Sequence, residues 1–185
     1  MARKKIAILF SGQGTNFSHI VNTFDPDEVE IVVALTNNPN AQGIQIAKEA
    51  SIALEIIDSS MYQEREVFDA EVVKILQRYA PDLSVLAGFM RILTPVFTQT
   101  IKSINLHPSL LPKHKGLNAI EKSYQDEDAY GGVSVHYVSD ELDGGEVILQ
   151  KKISKKGLDF TAYHNAIKEV EKEALAEAIR EVLDI

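Results

Sequence analysis

Cysteine is absent from the 185 residues of the chain, and this absence excludes several kinds of site. A disulfide framework, a thiolate zinc centre, an iron–sulfur cluster and a cysteine nucleophile all require the missing side chain. Glycine and proline number only ten and six, too few for a fibrous or low-complexity protein. The composition fits an ordinary folded domain in a reducing compartment.

Long hydrophobic runs and an excess of positive charge are also missing. No apolar run approaches the roughly 18 residues of a membrane span, and the first one, after a basic start, ends at Phe10. Nineteen basic residues face 27 acidic ones, so the net charge is −8. Because binding of nucleic acid requires a broad basic surface, we expect no nucleic-acid partner. Because no apolar run is long enough to span a membrane, we also expect no membrane partner. We predict a soluble cytoplasmic protein.

Short apolar runs alternate with segments of helical period in the first half of the chain. The runs predict strands at Ile6–Phe10, Ile31–Leu35, Leu54–Ile57 and Leu83–Ala87. Helical spacing predicts helices at Phe17–Phe24, Ala41–Ala50 and Tyr62–Tyr79. Nearly continuous apolar strands are typical of parallel sheets covered on both faces. This half therefore predicts a doubly wound α/β fold.

The second half of the chain has a different pattern. It predicts a short strand at Ser103–His107, an antiparallel pair at Val133–Val138 and Val147–Lys152, and a long amphipathic helix capped by Asp159. Together the two halves predict an α/β fold with three layers. Its sheet is mostly parallel, with an antiparallel strand pair and a long helix at the C-terminal end. We expect a single domain over 1–185, with a phosphate-binding half (1–87) and a catalytic half (88–185).

A glycine-containing turn, Ser11-Gly12-Gln13-Gly14-Thr15-Asn16, joins the first predicted strand to the first predicted helix. Two glycines permit close approach of the backbone to a ligand, and the amides of a helix start suit an anion. The segment matches neither a Walker loop nor the full dinucleotide fingerprint. It is either a phosphate cradle or a plain turn with Thr15 or Asn16 as the N-cap.

Two polar side chains share one face at the end of the fifth predicted strand. In Ser103–His107, Ile104 and Leu106 point one way and Asn105 and His107 the other, and Pro108 ends the strand. An amide and a cationic imidazole can together hold a developing oxyanion. Two ordinary polar residues at a strand end would give the same pattern. Asp143, in an Asp-Gly-Gly turn, would favour the protonated imidazole if the fold brought it near. The other four histidines are expected to be structural.

Several of these segments together resemble the folate-dependent formyltransferases. The resemblance rests on Ser11–Asn16, Leu86–Leu93, Asn105–Pro112, Val133–His136 and Asp140–Gly145. The run Asn-Leu-His-Pro-Ser-Leu-Leu-Pro with a downstream Asp-Gly-Gly is highly specific for this superfamily. The loop Gly-Gln-Gly-Thr-Asn favours the branch that formylates glycinamide ribonucleotide.

The resemblance implies a role for each matching position. Catalysis would fall to Asn105, His107 and Asp143. The acceptor's 5′-phosphate would be held by Gly14, Thr15 and Asn16, with other acceptor contacts at Gly88, Pro108 and Glu171. The folate would contact Arg65, Met90, Arg91, Ile92, Leu93 and Asn105.

The resemblance further implies the reaction itself. A formyl group would pass from 10-formyltetrahydrofolate to the amine of glycinamide ribonucleotide in purine synthesis, without a metal, in a monomer or weak homodimer. Relatives that formylate methionyl-tRNA or a sugar nucleotide, or that hydrolyse the formyl folate, are alternatives, as is a phosphate- or nucleotide-binding module without activity. The net charge of −8 argues against the tRNA substrate.

Overall fold

The computed structural model describes residues 3–185, and its secondary structure follows the predicted alternation. The strands are β1 (Lys4–Phe10), β2 (Val29–Thr36), β3 (Leu54–Ile56), β4 (Leu83–Leu86), β5 (Ser103–His107), β6 (Tyr130–Tyr137) and β7 (Val147–Ser154). The helices are α1 (Thr15–Thr23), α2 (Gly43–Glu49), α3 (Arg65–Tyr79), α4 (Pro95–Thr98), α5 (Ala119–Gln125) and α6 (Phe160–Leu183). None of these helices is both long and apolar enough to span a bilayer.

The seven strands form one sheet in the order β3-β2-β1-β4-β5-β6-β7. β1 pairs in parallel with β2 and β4, and β2 pairs in parallel with β3. β6 and β7 are antiparallel. The predicted fold class is therefore confirmed: the protein has a mostly parallel α/β sheet with an antiparallel C-terminal pair and a long C-terminal helix.

The chain divides into two compact units, the first ending at Ile104 and the second comprising Asn105–Ile185. In the first unit the core lies along β1, whose residues Ile6–Phe10 are fully buried. Burial on both faces explains why this strand is an unbroken apolar run. The proposed halves 1–87 and 88–185 stay a prediction.

Helix α3 begins later than its apolar stripe suggests. Helical spacing places Phe68, Val72, Ile75, Leu76 and Tyr79 on one apolar stripe; the first four are buried and Tyr79 is half-buried. The predicted start at Tyr62 is wrong by three residues, because a 3₁₀ turn at Ser59–Met61 comes first and both Tyr62 and the N-cap Glu64 have extended backbone. Hydrophobic spacing alone does not detect such a local turn.

Helix α6 of the second unit begins where the sequence predicts. The Asp159 carboxylate accepts a hydrogen bond from the Ala162 amide at 2.8 Å, which satisfies one open donor of the first turn. Along the helix, Ile167, Ala174 and Ile179 are fully buried. Two other helices, α4 and α5, of four and seven residues, are absent from the prediction.

Candidate active site

The second unit brings His107 and Asp143 together in its interior. The imidazole Nδ1 of His107, the last residue of β5, lies 3.4 Å from Oδ2 of Asp143. The exposed fractions of the two side chains are only 7% and 6%. Spacing along the sequence could not show this contact, and it is the geometry on which the predicted catalytic trio depends.

The second ring nitrogen of His107 is also occupied. Its Nε2 lies 2.8 Å from the main-chain carbonyl oxygen of His114, which can only accept a hydrogen bond. Nε2 therefore donates to this carbonyl. Because a carboxylate faces the other nitrogen, both partners of the ring are acceptors, which is the arrangement that a doubly protonated imidazole requires.

Asp143 is held in a tight turn and remains ionised there. Its backbone adopts a left-handed conformation, and its Oδ2 accepts a hydrogen bond from the Gly116 amide at 2.8 Å. Burial alone would raise the pKa of this carboxyl group. The nearby His136 imidazole, the hydrogen bond from the Gly116 amide and the electrostatic attraction of His107 outweigh burial and lower the pKa below its usual value.

His136 belongs to the same cluster, although sequence analysis assigned it a structural role. Its Nε2 lies 3.3 Å from Nδ2 of Asn105 and 3.7 Å from Oδ1 of Asp143, and its side chain is almost fully buried. Its Nδ1 donates to the Tyr137 carbonyl at 2.9 Å. A neutral ring can thus accept from Asn105, whereas a charged ring can donate toward Asp143. No local pattern of the sequence indicates this position, because it requires β6 to lie beside β5 in the sheet.

A second ionic cluster fixes the segment that supplies the His114 carbonyl. The His114 imidazole contacts Oδ2 of Asp126 at 2.5 Å, and the Lys155 ammonium contacts Oδ1 at 2.6 Å. Burial opposes ionisation of Asp126, but hydrogen bonds from Lys155 and His114 outweigh it and lower its pKa to about 2. The carbonyl that orients His107 is therefore part of an anchored segment.

In the first unit, the glycine-containing turn leads into α1 as predicted. Gly14 is the N-cap, in the left-handed conformation with φ of 76°, and no side chain caps the helix. Thr15 and Asn16, the N-cap residues of the plain-turn alternative, both lie within the helix, so neither is the cap. A Cβ at Gly14 would lie 2.9 Å from the Cα of Gly43, so only glycine fits there. α1 thus begins at this glycine, and a helix start is a place where backbone amides can bind an anion.

The segment following β4, residues 88–94, is fixed at its C-terminal end. The carboxylate of Asp69, buried on α3, accepts hydrogen bonds from the Thr94 amide at 2.6 Å and the Thr94 hydroxyl at 2.7 Å. The guanidinium of Arg91 lies 4.8 Å from the centre of the Phe68 ring. Met90 and Ile92, on either side of Arg91, are 68% and 53% exposed. Exposed apolar side chains on an anchored loop suit a flat ligand.

Three other predicted site residues differ in their burial and contacts. Arg65 is exposed at the start of α3. Pro108 directly follows β5 beside the His107 cluster. Glu171 is buried in α6, where its carboxylate oxygens contact the Lys168 ammonium at 3.0 and 3.1 Å. Among residues 3–185, no three His, Asp or Glu side chains form a group that could hold a metal ion.

The sequence was compared with models of known protein families. The formyl transferase family model matches residues 4–179. Because the match spans almost the whole chain, the protein belongs to the formyl transferase family. The resemblance deduced from the motifs, and the expectation of a formyltransferase enzyme, are confirmed.

Individual relatives narrow the comparison. The chain is 41% identical over 152 residues to the phosphoribosylglycinamide formyltransferase of Escherichia coli strain K12, covering 80% of this chain and 72% of that protein. It is 34% identical over 164 residues to the human trifunctional purine biosynthetic protein adenosine-3, covering 86% of this chain and 16% of that protein. The crystal structure of phosphoribosylglycinamide formyltransferase from Campylobacter jejuni superposes with a TM-score of 0.93 at 45% identity, covering 97% of both chains.

Proposed function

We propose that the protein transfers the formyl group of 10-formyltetrahydrofolate to the amine of glycinamide ribonucleotide, a step of purine synthesis. The names of the relatives support this acceptor. The observation that supports the chemistry is the buried contact of His107 with Asp143 at 3.4 Å. Asn105 is linked to the same carboxylate through His136, which lies 3.3 Å from Asn105 and 3.7 Å from Asp143. We place the reaction in the cytoplasm, in a monomer or weak homodimer.

The proposed reaction is a direct attack by the acceptor amine. The glycyl nitrogen forms a bond to the formyl carbon, and the carbonyl oxygen becomes negative in the tetrahedral intermediate. The bond from that carbon to N10 of the folate then breaks. The proton lost by the amine is transferred to N10, which leaves as tetrahydrofolate. No covalent enzyme intermediate and no metal is needed.

Asn105 and His107 would stabilise the negative oxygen. The amide nitrogen of Asn105 would donate a neutral hydrogen bond to it. The protonated imidazole of His107, whose two ring nitrogens face Asp143 and the His114 carbonyl, would contribute its positive charge. One such donor contributes roughly 10²- to 10³-fold in rate. The carboxylate of Asp143 would keep the imidazole charged and correctly oriented, and would assist proton transfer from the amine.

Ligand binding is assigned to the residues that the family resemblance indicates. The acceptor's phosphate would bind the amides and side chains of Gly14, Thr15 and Asn16. The folate would lie against the exposed loop 88–94, which contains Met90, Arg91, Ile92 and Leu93, with Arg65 and Asn105 as further contacts. Gly88, Pro108 and Glu171 would touch the rest of the acceptor.

The direct test is the formation of tetrahydrofolate from 10-formyltetrahydrofolate, followed by absorbance with and without glycinamide ribonucleotide. We expect turnover only when this acceptor is present. Turnover with water alone would assign the protein as a hydrolase, and turnover only with aminoacyl-tRNA or an amino sugar nucleotide would assign it to another branch. Absence of turnover with water and with every one of these acceptors would contradict the proposal that the protein catalyses this reaction.

A double substitution tests the phosphate cradle. Thr15→Ala with Asn16→Ala removes two side-chain donors beside the helix start, and hydrogen bonds to charged groups are worth about 1.5–3 kcal/mol each. We expect the KM for glycinamide ribonucleotide to rise roughly tenfold or more, with a much smaller change for the folate.

The same helix supplies a matched control for this double substitution. Asn22→Ala with Thr23→Ala changes the same residue types at the opposite end of α1. This pair should leave both KM values close to those of the wild type. Equal increases for acceptor and folate in the Thr15/Asn16 variant would argue against the cradle.

A further inference from the structure

A single buried serine, Ser11, joins the glycine-containing turn to the loop 88–94. Its amide donates to the Gly88 carbonyl at 3.0 Å, and its hydroxyl oxygen accepts from the Met90 amide at 2.7 Å. The residue is buried, with an exposed fraction of only 9%. Ser11 is thus bonded twice, through backbone and side chain, to the loop to which we assign the folate.

The direction of the Ser11 hydroxyl is fixed by a second residue. The hydroxyl donates to Oδ1 of Asn37 at 2.5 Å, and Nδ2 of Asn37 in turn donates to the Ser59 hydroxyl oxygen at 3.2 Å. A hydroxyl has one proton, so donation to Asn37 leaves the oxygen lone pairs of Ser11 for the Met90 amide. The chain of bonds runs in one direction from Met90 through Ser11 and Asn37 to Ser59.

The remaining contacts of the turn hold Ser11 in register with the cradle. The Ser11 carbonyl accepts a hydrogen bond from the side-chain amide of Asn38 at 3.1 Å, and the Gly12 carbonyl accepts one from the backbone amide of Gly43 at 3.0 Å. A shift of the turn would therefore move the Ser11 hydroxyl relative to Met90. Buried hydrogen-bond networks of this kind transmit such shifts because a broken bond leaves a polar group unsatisfied.

We infer that Ser11 is a positioning residue that couples the binding of the two substrates. Anion binding at the turn would fix Ser11, and Ser11 would fix the Met90 amide in the conformation that receives the folate. This inference rests on the proposed function. By thermodynamic reciprocity, the folate must strengthen binding of the acceptor by the same factor.

The coupling can be measured by calorimetry with glycinamide ribonucleotide and tetrahydrofolate, the unreactive product. In the wild type we expect the Kd of tetrahydrofolate to fall roughly fivefold or more when the acceptor is saturating. In Ser11→Ala this ratio should approach one, because the Met90 amide loses its acceptor. A merely structural effect would raise both Kd values and leave the ratio unchanged.

Asn37→Ala is a second variant, which keeps the Ser11 hydroxyl but removes the group that directs it. It should reduce the ratio partially, and it decides the question if Ser11→Ala does not fold. Ser60→Ala is the matched control, since its exposed hydroxyl bonds only Asp58 in this part of the described chain. Its ratio should equal that of the wild type.

Two further results separate the inference from the proposed function. A wild-type ratio of one, or a wild-type ratio in folded Ser11→Ala and Asn37→Ala, would overturn the role of Ser11 while leaving the reaction intact. Failure of the wild type to bind glycinamide ribonucleotide at all would instead reject the proposed acceptor, and the coupling with it.

Discussion

Replacing His107 with alanine is expected to lower kcat by roughly 10²-fold or more, while glycinamide ribonucleotide still binds. The substitution removes the only group of the proposed trio that can carry a positive charge to the tetrahedral oxygen. Acceptor affinity should persist, because the phosphate is assigned to the turn at Gly14. Steady-state turnover and calorimetric titration of the acceptor measure the two quantities separately.

The variant must also be shown to be folded, because His107 is buried between two acceptors. Leaving the Asp143 carboxylate and the His114 carbonyl without their donor should reduce the free energy of unfolding by about 1–3 kcal/mol, measurable by denaturant titration. His164→Ala, a histidine on α6 outside the cluster, is the matched control and should retain full turnover. An unchanged kcat in folded His107→Ala would remove His107 from the mechanism.

Parts of this protein could be predicted from sequence because they depend on local pattern. β1 from Ile6 onward and β4 are nearly continuous apolar runs, and their burial on both faces follows from that composition. The cap of α6 follows from Asp159 alone, since its carboxylate reaches an amide three residues later. Alternation along β5 likewise gave the common side of Asn105 and His107.

Other parts depend on contacts between segments distant in the chain. Nothing local indicates that His136 packs beside Asn105, because this requires β6 to be next to β5 in the sheet. The backbone carbonyl of His114 and the backbone amide of Gly116 contact the site residues, and the identity of a side chain does not reveal where such backbone groups lie. The catalytic roles themselves stay a prediction until variants are measured.

The contact between Asp143 and His107 leads to the second large effect. Asp143→Asn keeps the size of the side chain but removes the negative charge beside the imidazole. We expect kcat to fall roughly 10²-fold or more. Because turnover is proposed to need the protonated imidazole, the decline of rate with rising pH should also begin at a lower pH in the variant. The measurement is kcat against pH for both proteins.

Stability gives an independent readout of the same carboxylate. The pKa of Asp143 is lowered in the folded protein, so its ionised form stabilises the fold at pH values above the ordinary value of about 3.9. That contribution disappears as the pH falls through the lower, folded value. Asp143→Asn should therefore be less stable than the wild type near neutral pH, and the difference should shrink in acid.

Asp184→Asn provides the control for both measurements. Asp184 is exposed at the end of α6 in a left-handed conformation that asparagine also tolerates, so the same chemical change is made far from the cluster in sequence. It should alter neither the rate profile nor the pH dependence of stability. If Asp143→Asn reproduced the wild-type rate profile while losing stability near neutral pH, the carboxylate would hold the turn at Gly116 without acting through His107. Only a change in both establishes that one charge serves the fold and the reaction together.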